Sequence, residues 1–248
     1  MTAEVALLRR EGLIAGLVPF SAVDGPGNRY VVFLQGCGWD CLVCHNPCSI
    51  PQAPRGMRPT SVAEVVAGVR EAAPFLTGVT VTGGEATLQA PFVRALFDEL
   101  AADPVTAPLT RFVDSNGDAD AGVWELLAPV TDGVMLDLKA LDDDMHVVLT
   151  GHPNARVLAS VHDLAARGLL AEVRLLLVPG LNDSDEVLRR TARWLLDIDP
   201  DVRVRVNPFR HDGARACARD LLEPSAADLA RYRVVLTGAG VRHLTLPG

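Results

Sequence analysis

Six short runs rich in valine and leucine recur along the chain, and stretches of helical periodicity separate them. The runs are Tyr30–Gln35, Val79–Thr82, Arg111–Asp114, Gly133–Asp137, Glu172–Val178 and Arg203–Asn207. Apolar character without strict alternation marks strands buried on both faces, as parallel strands are. Helical patterns cover Ser61–Ala73, Pro91–Ala102, Ala119–Leu127, Ala155–Arg167 and Ser184–Leu196, followed by Ser225–Thr237 and a short terminal strand over Arg242–Leu246. Thr60 or Ser61 caps the first helix, with Glu64 at capping-box spacing from Ser61. Asp183 or Ser184 caps the fifth, and the charge run Asp142–Asp144 suits the first turn of a helix. The alternation predicts an α/β fold, a parallel sheet wrapped by helices. About six βα repeats make it an incomplete, TIM-like barrel rather than the closed eight-stranded one. Pro47–Pro59 holds four prolines and reads as a loop. With no repeat or low-complexity tract, residues 1–248 are expected to form one domain.

Nearly half of the chain is apolar, so a sizeable core is expected, and the net charge of −8 argues against a nucleic-acid surface. No apolar run reaches the ~20 residues that span a bilayer. Arg9, Arg10 and Glu11 interrupt any export-type apolar segment, which points to the cytoplasm. Arginine outnumbers lysine 22 to 1. The single lysine, Lys139, is therefore of interest, because an ammonium is a compact point charge where a guanidinium is a planar fork.

In folds of this class the working residues lie at the C-terminal ends of the strands. Each of the six runs ends in polar residues or a turn. The first runs into Cys37 and the second into Gly83-Gly84-Glu85. The third ends in Asp114-Ser115-Asn116-Gly117 and the fourth in Asp137-Leu138-Lys139. Pro179-Gly180-Leu181-Asn182 follows the fifth, and Pro208-Phe209-Arg210-His211 the sixth. Turn chemistry accounts for any one of these alone.

The run QGCGWDCLVCHNP holds Cys37, Cys41 and Cys44. Three thiolates cannot fill a four-iron cluster, which takes one protein ligand at each corner, so one iron is left open for chemistry. A structural zinc site, with His45 or Cys48 as fourth ligand, is the alternative reading. A disulfide framework fits poorly with five cysteines and a reducing compartment. Cys48 as a fourth cluster ligand would close the open iron; a place just outside the shell is the competing expectation. Cys217 stands alone. His45 is expected to pack over the metal, and His146, His152, His162 and His243 show no partner spacing.

The cysteine spacing and the CHNP tail resemble the radical S-adenosylmethionine (SAM) superfamily. The longer runs VPFSAVDGPGNR, FLQGC, VTVTGGEATLQAPFVRALF, VDSNG, GVMLDLKA and RLLLVPG are similar to the glycyl-radical-enzyme activating enzymes, among them pyruvate formate-lyase activase, and most of all to the YjjW-type members. The resemblance implies that Cys37, Cys41 and Cys44 ligate a four-iron four-sulfur (4Fe-4S) cluster. It places Gly83, Gly84 and Glu85 at the amino end of SAM and Lys139 at its carboxylate. Asp114, Ser115, Met135 and Asp137 match positions around a monovalent cation beside SAM, and Asp24 faces the substrate peptide. The implied reaction is reductive cleavage of SAM to a 5′-deoxyadenosyl radical, which takes a hydrogen atom from a glycine of a partner glycyl radical enzyme. Two departures stand out. The loop Pro47–Pro59 carries only Cys48, so the ferredoxin-like insert of YjjW-type members is missing and a separate flavodoxin or ferredoxin must bring the electron. Arg210 occupies the place of a SAM-holding histidine, with His211 one position along. A radical SAM enzyme acting on a small molecule or peptide, and a zinc-stapled binding protein, remain as alternatives.

Overall fold

The computed structural model describes residues 10–246, so Arg9 and the residues before it lie outside the described part. The chain divides into two compact units. One comprises the chain up to Gly38, Cys48–Ser115 and Ala119–Val134; the other comprises Trp39–Pro47, Asn116–Asp118 and the chain from Met135 onward.

The first unit holds β1 (Glu11–Gly12), β2 (Ile14–Ser21), β3 (Arg29–Leu34), β4 (Thr60–Ser61), α1 (Val62–Ala72), β5 (Gly78–Gly83), α2 (Ala90–Ala102), β6 (Thr110–Ser115) and α3 (Ala121–Leu127). Strands β3, β5 and β6 are parallel, with Tyr30 beside Val79 and Val79 beside Arg111. Val31, Val32, Leu34, Val79, Val81 and Val113 of the strands are buried, as are Val65, Val69, Leu96 and Phe97 of the helices. Ser61 caps α1, and its capping box with Glu64 is complete. Sequence reading missed β2, which pairs antiparallel with β3, and the small β1–β4 ladder. β2 escapes detection because it is mostly exposed, carries Gly16 and Pro19, and has register shifts; proline is tolerated where a strand lies at an edge. At the opposite end of β3 from Cys37, buried Arg29 donates to Thr80 Oγ1, Val79 O and the Thr110 side chain and carbonyl. Burial lowers its pKa to about 10 against the pull of Asp132; so many acceptors make this cation part of the core.

The second unit holds β7 (Gly133–Leu138, which begins at the boundary), α4 (Asp143–Thr150), α5 (Ala155–Ala166), β8 (Leu170–Leu177), α6 (Asp185–Ile198), β9 (Arg203–Pro208), α7 (Ala226–Gly238) and β10 (His243–Thr245). β8, β9 and β10 are parallel. The expected charge run does open a helix: Asp142 caps α4 by accepting from Met145 N, and Asp143 and Asp144 fill the first turn, where they complement the helix dipole. Gly151 ends it in the left-handed region at φ +80°, which glycine adopts without strain. Ser184 and Ser225 cap α6 and α7. All six expected strands form.

Candidate functional site

In the first unit the strand ends are laced together by their backbones. β3 runs into Gly36, whose φ of +101° turns the chain toward Cys37. Gly36 N donates to Ser49 O and Cys37 N to Ile50 O, which pins this turn to the proline-rich loop. Gly84 N donates to Leu34 O and Glu85 N to Gly36 O. The structure thus brings Gly83-Gly84-Glu85 against the arm that carries Cys37. It also supplies a reason for both glycines. A Cβ on Gly83 would collide with the Leu34 backbone, and one on Gly84 with the Gly36 carbonyl oxygen. Replacing Gly84 with Ala is expected to destabilise the protein by about 1–3 kcal/mol through overpacking, read as a lower midpoint in urea unfolding; an unchanged midpoint would contradict this packing.

Glu85 is 3 % exposed. Its Oε1 accepts from Thr87 N at 2.9 Å, Thr87 Oγ1 at 2.6 Å and Ser115 Oγ at 2.8 Å. These donors fix a buried carboxylate, and they join the ends of β5 and β6. Asp114 Oδ2 accepts from Thr82 Oγ1 at 3.0 Å. Asp24 Oδ2 accepts from Ser21 Oγ at 2.5 Å, and its carbonyl from Thr80 Oγ1 at 2.8 Å. Thr82 and Thr87 were not singled out in the sequence; the threonine two places after Glu85 is the only local signal for this carboxylate's support.

In the second unit, Lys139 Nζ pairs with Asp137 Oδ2 at 2.7 Å, with side chains 17 % and 27 % exposed. Asp137 lies on β7 and Lys139 just past its end, close enough for one lysine to neutralise this aspartate. Met135 takes Arg174 Nη2 on its sulfur at 2.9 Å. Cys41 and Cys44 are half-buried and lie on one turn, with Cys44 N donating to Cys41 O at 3.3 Å. Burial pushes the Cys41 thiol up to about 11, while Lys139 pulls the other way and Cys44 and Asp137 add to the rise. A coordinating metal removes such a proton outright.

The loop bearing these two cysteines is held by residues the sequence did not advertise. Arg215 grips Asp40 with both guanidinium nitrogens and donates to the Asp40 and Cys41 carbonyls. Cys217 Sγ donates to Leu42 O at 3.6 Å. His45 Nε2 faces the Arg210 carbonyl at 2.8 Å, which commits that nitrogen elsewhere than a zinc ion. His211 takes part in the local chain path: Nε2 faces Leu221 O at 2.9 Å, its N–H donates to Glu223, and its ring lies edge-on to Phe209. The Arg210 side chain is exposed. Sequence separations of about 170 residues hide the Arg215 clamp from any local pattern.

None of the five cysteines is in a disulfide; Cys48 and Cys217 are exposed. Among the described residues no three His, Cys, Asp or Glu side chains stand close enough to hold a metal ion as they are. The donor set nonetheless suits iron–sulfur chemistry, being thiols on a short, anchored loop.

The radical SAM superfamily model matches residues 31–192, from β3 into α6. The chain belongs to the radical SAM superfamily. It is 36 % identical over 213 residues to the pyruvate formate-lyase-activating enzyme of Streptococcus mutans, covering 82 % of this chain and 79 % of that one. It is 33 % identical over 209 residues to the enzyme of the same name from Staphylococcus epidermidis, with coverage of 82 % and 83 %. Those values place it in the activating-enzyme family within the superfamily, and that membership implies SAM and an iron–sulfur cluster. Solved structures agree at the level of fold. A radical SAM methyltransferase from Sphaerobacter thermophilus superposes with a TM-score of 0.68 at 21 % identity, over 88 % of this chain and 66 % of that one. A domain of a pyruvate-formate lyase-activating enzyme from Bacteroides vulgatus gives 0.57 at 23 %, over 69 % and 99 %. The expected alternation of parallel strands and helices is thus the radical SAM α/β fold. Among the described residues no helix is long and apolar enough to cross a membrane.

Proposed function

We propose that this radical SAM enzyme activates a glycyl radical enzyme, working in the cytoplasm with a flavodoxin or ferredoxin as electron source. The observation that carries the reading is the 36 % identity, over most of both chains, to a pyruvate formate-lyase-activating enzyme. Cys37, Cys41 and Cys44 are the residues that would hold a 4Fe-4S cluster, with SAM bound beside it. When bound, these groups would supply reductive SAM chemistry able to remove a hydrogen atom from a glycine.

The chain's own residues do the positioning. Glu85, held in its buried place by Thr87 and Ser115, would accept from the SAM ammonium. Lys139 offers a point charge to the SAM carboxylate, and its bond to Asp137 keeps the ammonium at the end of β7. Gly83 and Gly84 set the backbone beneath Glu85. His211, whose ring nitrogen Nε2 faces Leu221 O, is the candidate SAM contact after β9. Asp114, Ser115, Met135 and Asp137 form the candidate set for a monovalent cation, and Asp24 the candidate contact for the substrate peptide.

The test is anaerobic reconstitution with iron and sulfide, reduction, and mixing with SAM and a purified candidate glycyl radical enzyme. A glycyl radical signal in the electron paramagnetic resonance (EPR) spectrum of the partner is the expected result. Cleavage of SAM with no radical on any protein would point instead to a small-molecule or peptide substrate. A colourless protein holding one zinc would overturn both.

A further inference from the structure

Trp39 stands between the first two cysteines of the loop and is 2 % exposed, as is Val43 between the last two. Asp118, His146 and His152, which meet Trp39, lie in its own unit. Nε1 donates to Asp118 Oδ2 at 2.9 Å. The indole meets the edge of the His146 ring at 5.2 Å and stacks on His152 at 6.0 Å. Aromatic pairs in these geometries attract beyond their area burial. His146 is fully buried on α4. Its Nδ1 faces the His152 carbonyl at 2.7 Å; a carbonyl only accepts, so Nδ1 carries the proton.

The same helix holds the rest of the loop. Leu42 N donates to Leu149 O at 2.9 Å. Leu149 packs with Val43, Phe209 and Ala218 in one apolar cluster. α4 begins five residues after β7 ends, and that strand end carries Asp137 and Lys139. One eight-residue helix is therefore both the floor of the cysteine loop and the continuation of the strand end proposed to hold SAM. A helix this short is marginal alone, so the indole and the helix stabilise each other.

We propose that Trp39 and His146 are positioning residues: seated together on α4, they fix the turn carrying Cys41 and Cys44 relative to Lys139 before any cofactor arrives. The proposal rests on the reading of the cysteines as cluster ligands. Anchoring the loop in advance removes ordering entropy that cluster and SAM binding would otherwise have to overcome. Spacing alone does not require tryptophan here; any residue would keep the cysteines apart.

The test compares Trp39→Ala, Trp39→Phe and His146→Asn with the unaltered chain. In cluster-free protein, alkylation of Cys41 and Cys44 is timed against exposed Cys48 as internal reference. Trp39→Ala should speed it by about tenfold, since labelling follows local opening, and His146→Asn by several-fold. Trp39→Phe keeps a ring on His146 and should stay near the unaltered rate. After reconstitution, Trp39→Ala should weaken SAM binding and diminish the SAM-induced change in the cluster's EPR signal. Unchanged alkylation in Trp39→Ala overturns the proposal. So does a lowered melting temperature with an unaltered SAM-induced change, which would mark a role in stability alone. If Trp39→Ala does not fold, His146→Asn decides by the same readouts. An unaltered chain that takes up no cluster would refute the ligand reading, while the alkylation rates would still decide the anchoring.

Discussion

Cys41→Ala should leave a protein that folds and takes up little or no intact cluster, with no broad absorption at about 400 nm after reconstitution and no SAM cleavage. The effect is expected to be all-or-none, because a cluster with two protein ligands has two unprotected irons instead of one. The fold should survive, for Cys41 is only half-buried and its loop is held elsewhere, by Arg215 on Asp40 and by Leu42 N on Leu149 O. Cys48→Ala is the control. Cys48 is exposed and lies in the proline-rich loop, and its removal should leave absorption and cleavage intact. A Cys48→Ala protein without a cluster would show that the ligand set has been drawn wrongly.

Lys139→Ala should leave the cluster in place and weaken SAM binding by roughly 10- to 100-fold, measured by titration against the reduced cluster's EPR signal. Truncating one member of a buried charge pair costs about 2–5 kcal/mol, and every 1.4 kcal/mol is about tenfold. The lower part of that range applies, because Lys139 and Asp137 are 17 % and 27 % exposed and water screens them in part. Two losses add: the charge offered to the SAM carboxylate, and the counter-charge of Asp137, which would then repel that carboxylate. Lys139→Arg should not restore full affinity, since a planar fork on a longer stem places its charge differently. SAM affinity at the level of the unaltered chain in Lys139→Ala would remove the carboxylate role.

The strands, most helices and their caps were legible locally. Capping boxes, valine runs and helical periods are properties of neighbouring residues, and Ser61, Ser184 and Ser225 act as such spacing requires. β2 was not legible, because an exposed edge strand with Gly16 and Pro19 has no periodic signature. At the site, the sequence marked the ends of the strands as the places for Cys37, Glu85, Asp114 and Lys139. It did not reveal how Glu85 is held. Ser115 reaches it from the next strand, thirty residues away, and only parallel pairing of β5 with β6 makes them neighbours.

What the sequence alone determined is therefore the cast and its order: three cysteines at set spacing, a glycine pair before a glutamate, one lysine on a strand end. These follow from covalent spacing and the period of the strand, which the chain carries wherever it goes. Tertiary structure decided what those residues rest on. Gly84 is required because another backbone passes where its Cβ would stand. The cysteine loop is anchored where Trp39, Val43 and Asp40 meet Asp118, α4 and Arg215. Such contacts join segments from about fifty to 175 residues apart, and no local pattern encodes them, because any side chain of suitable shape and charge could have served.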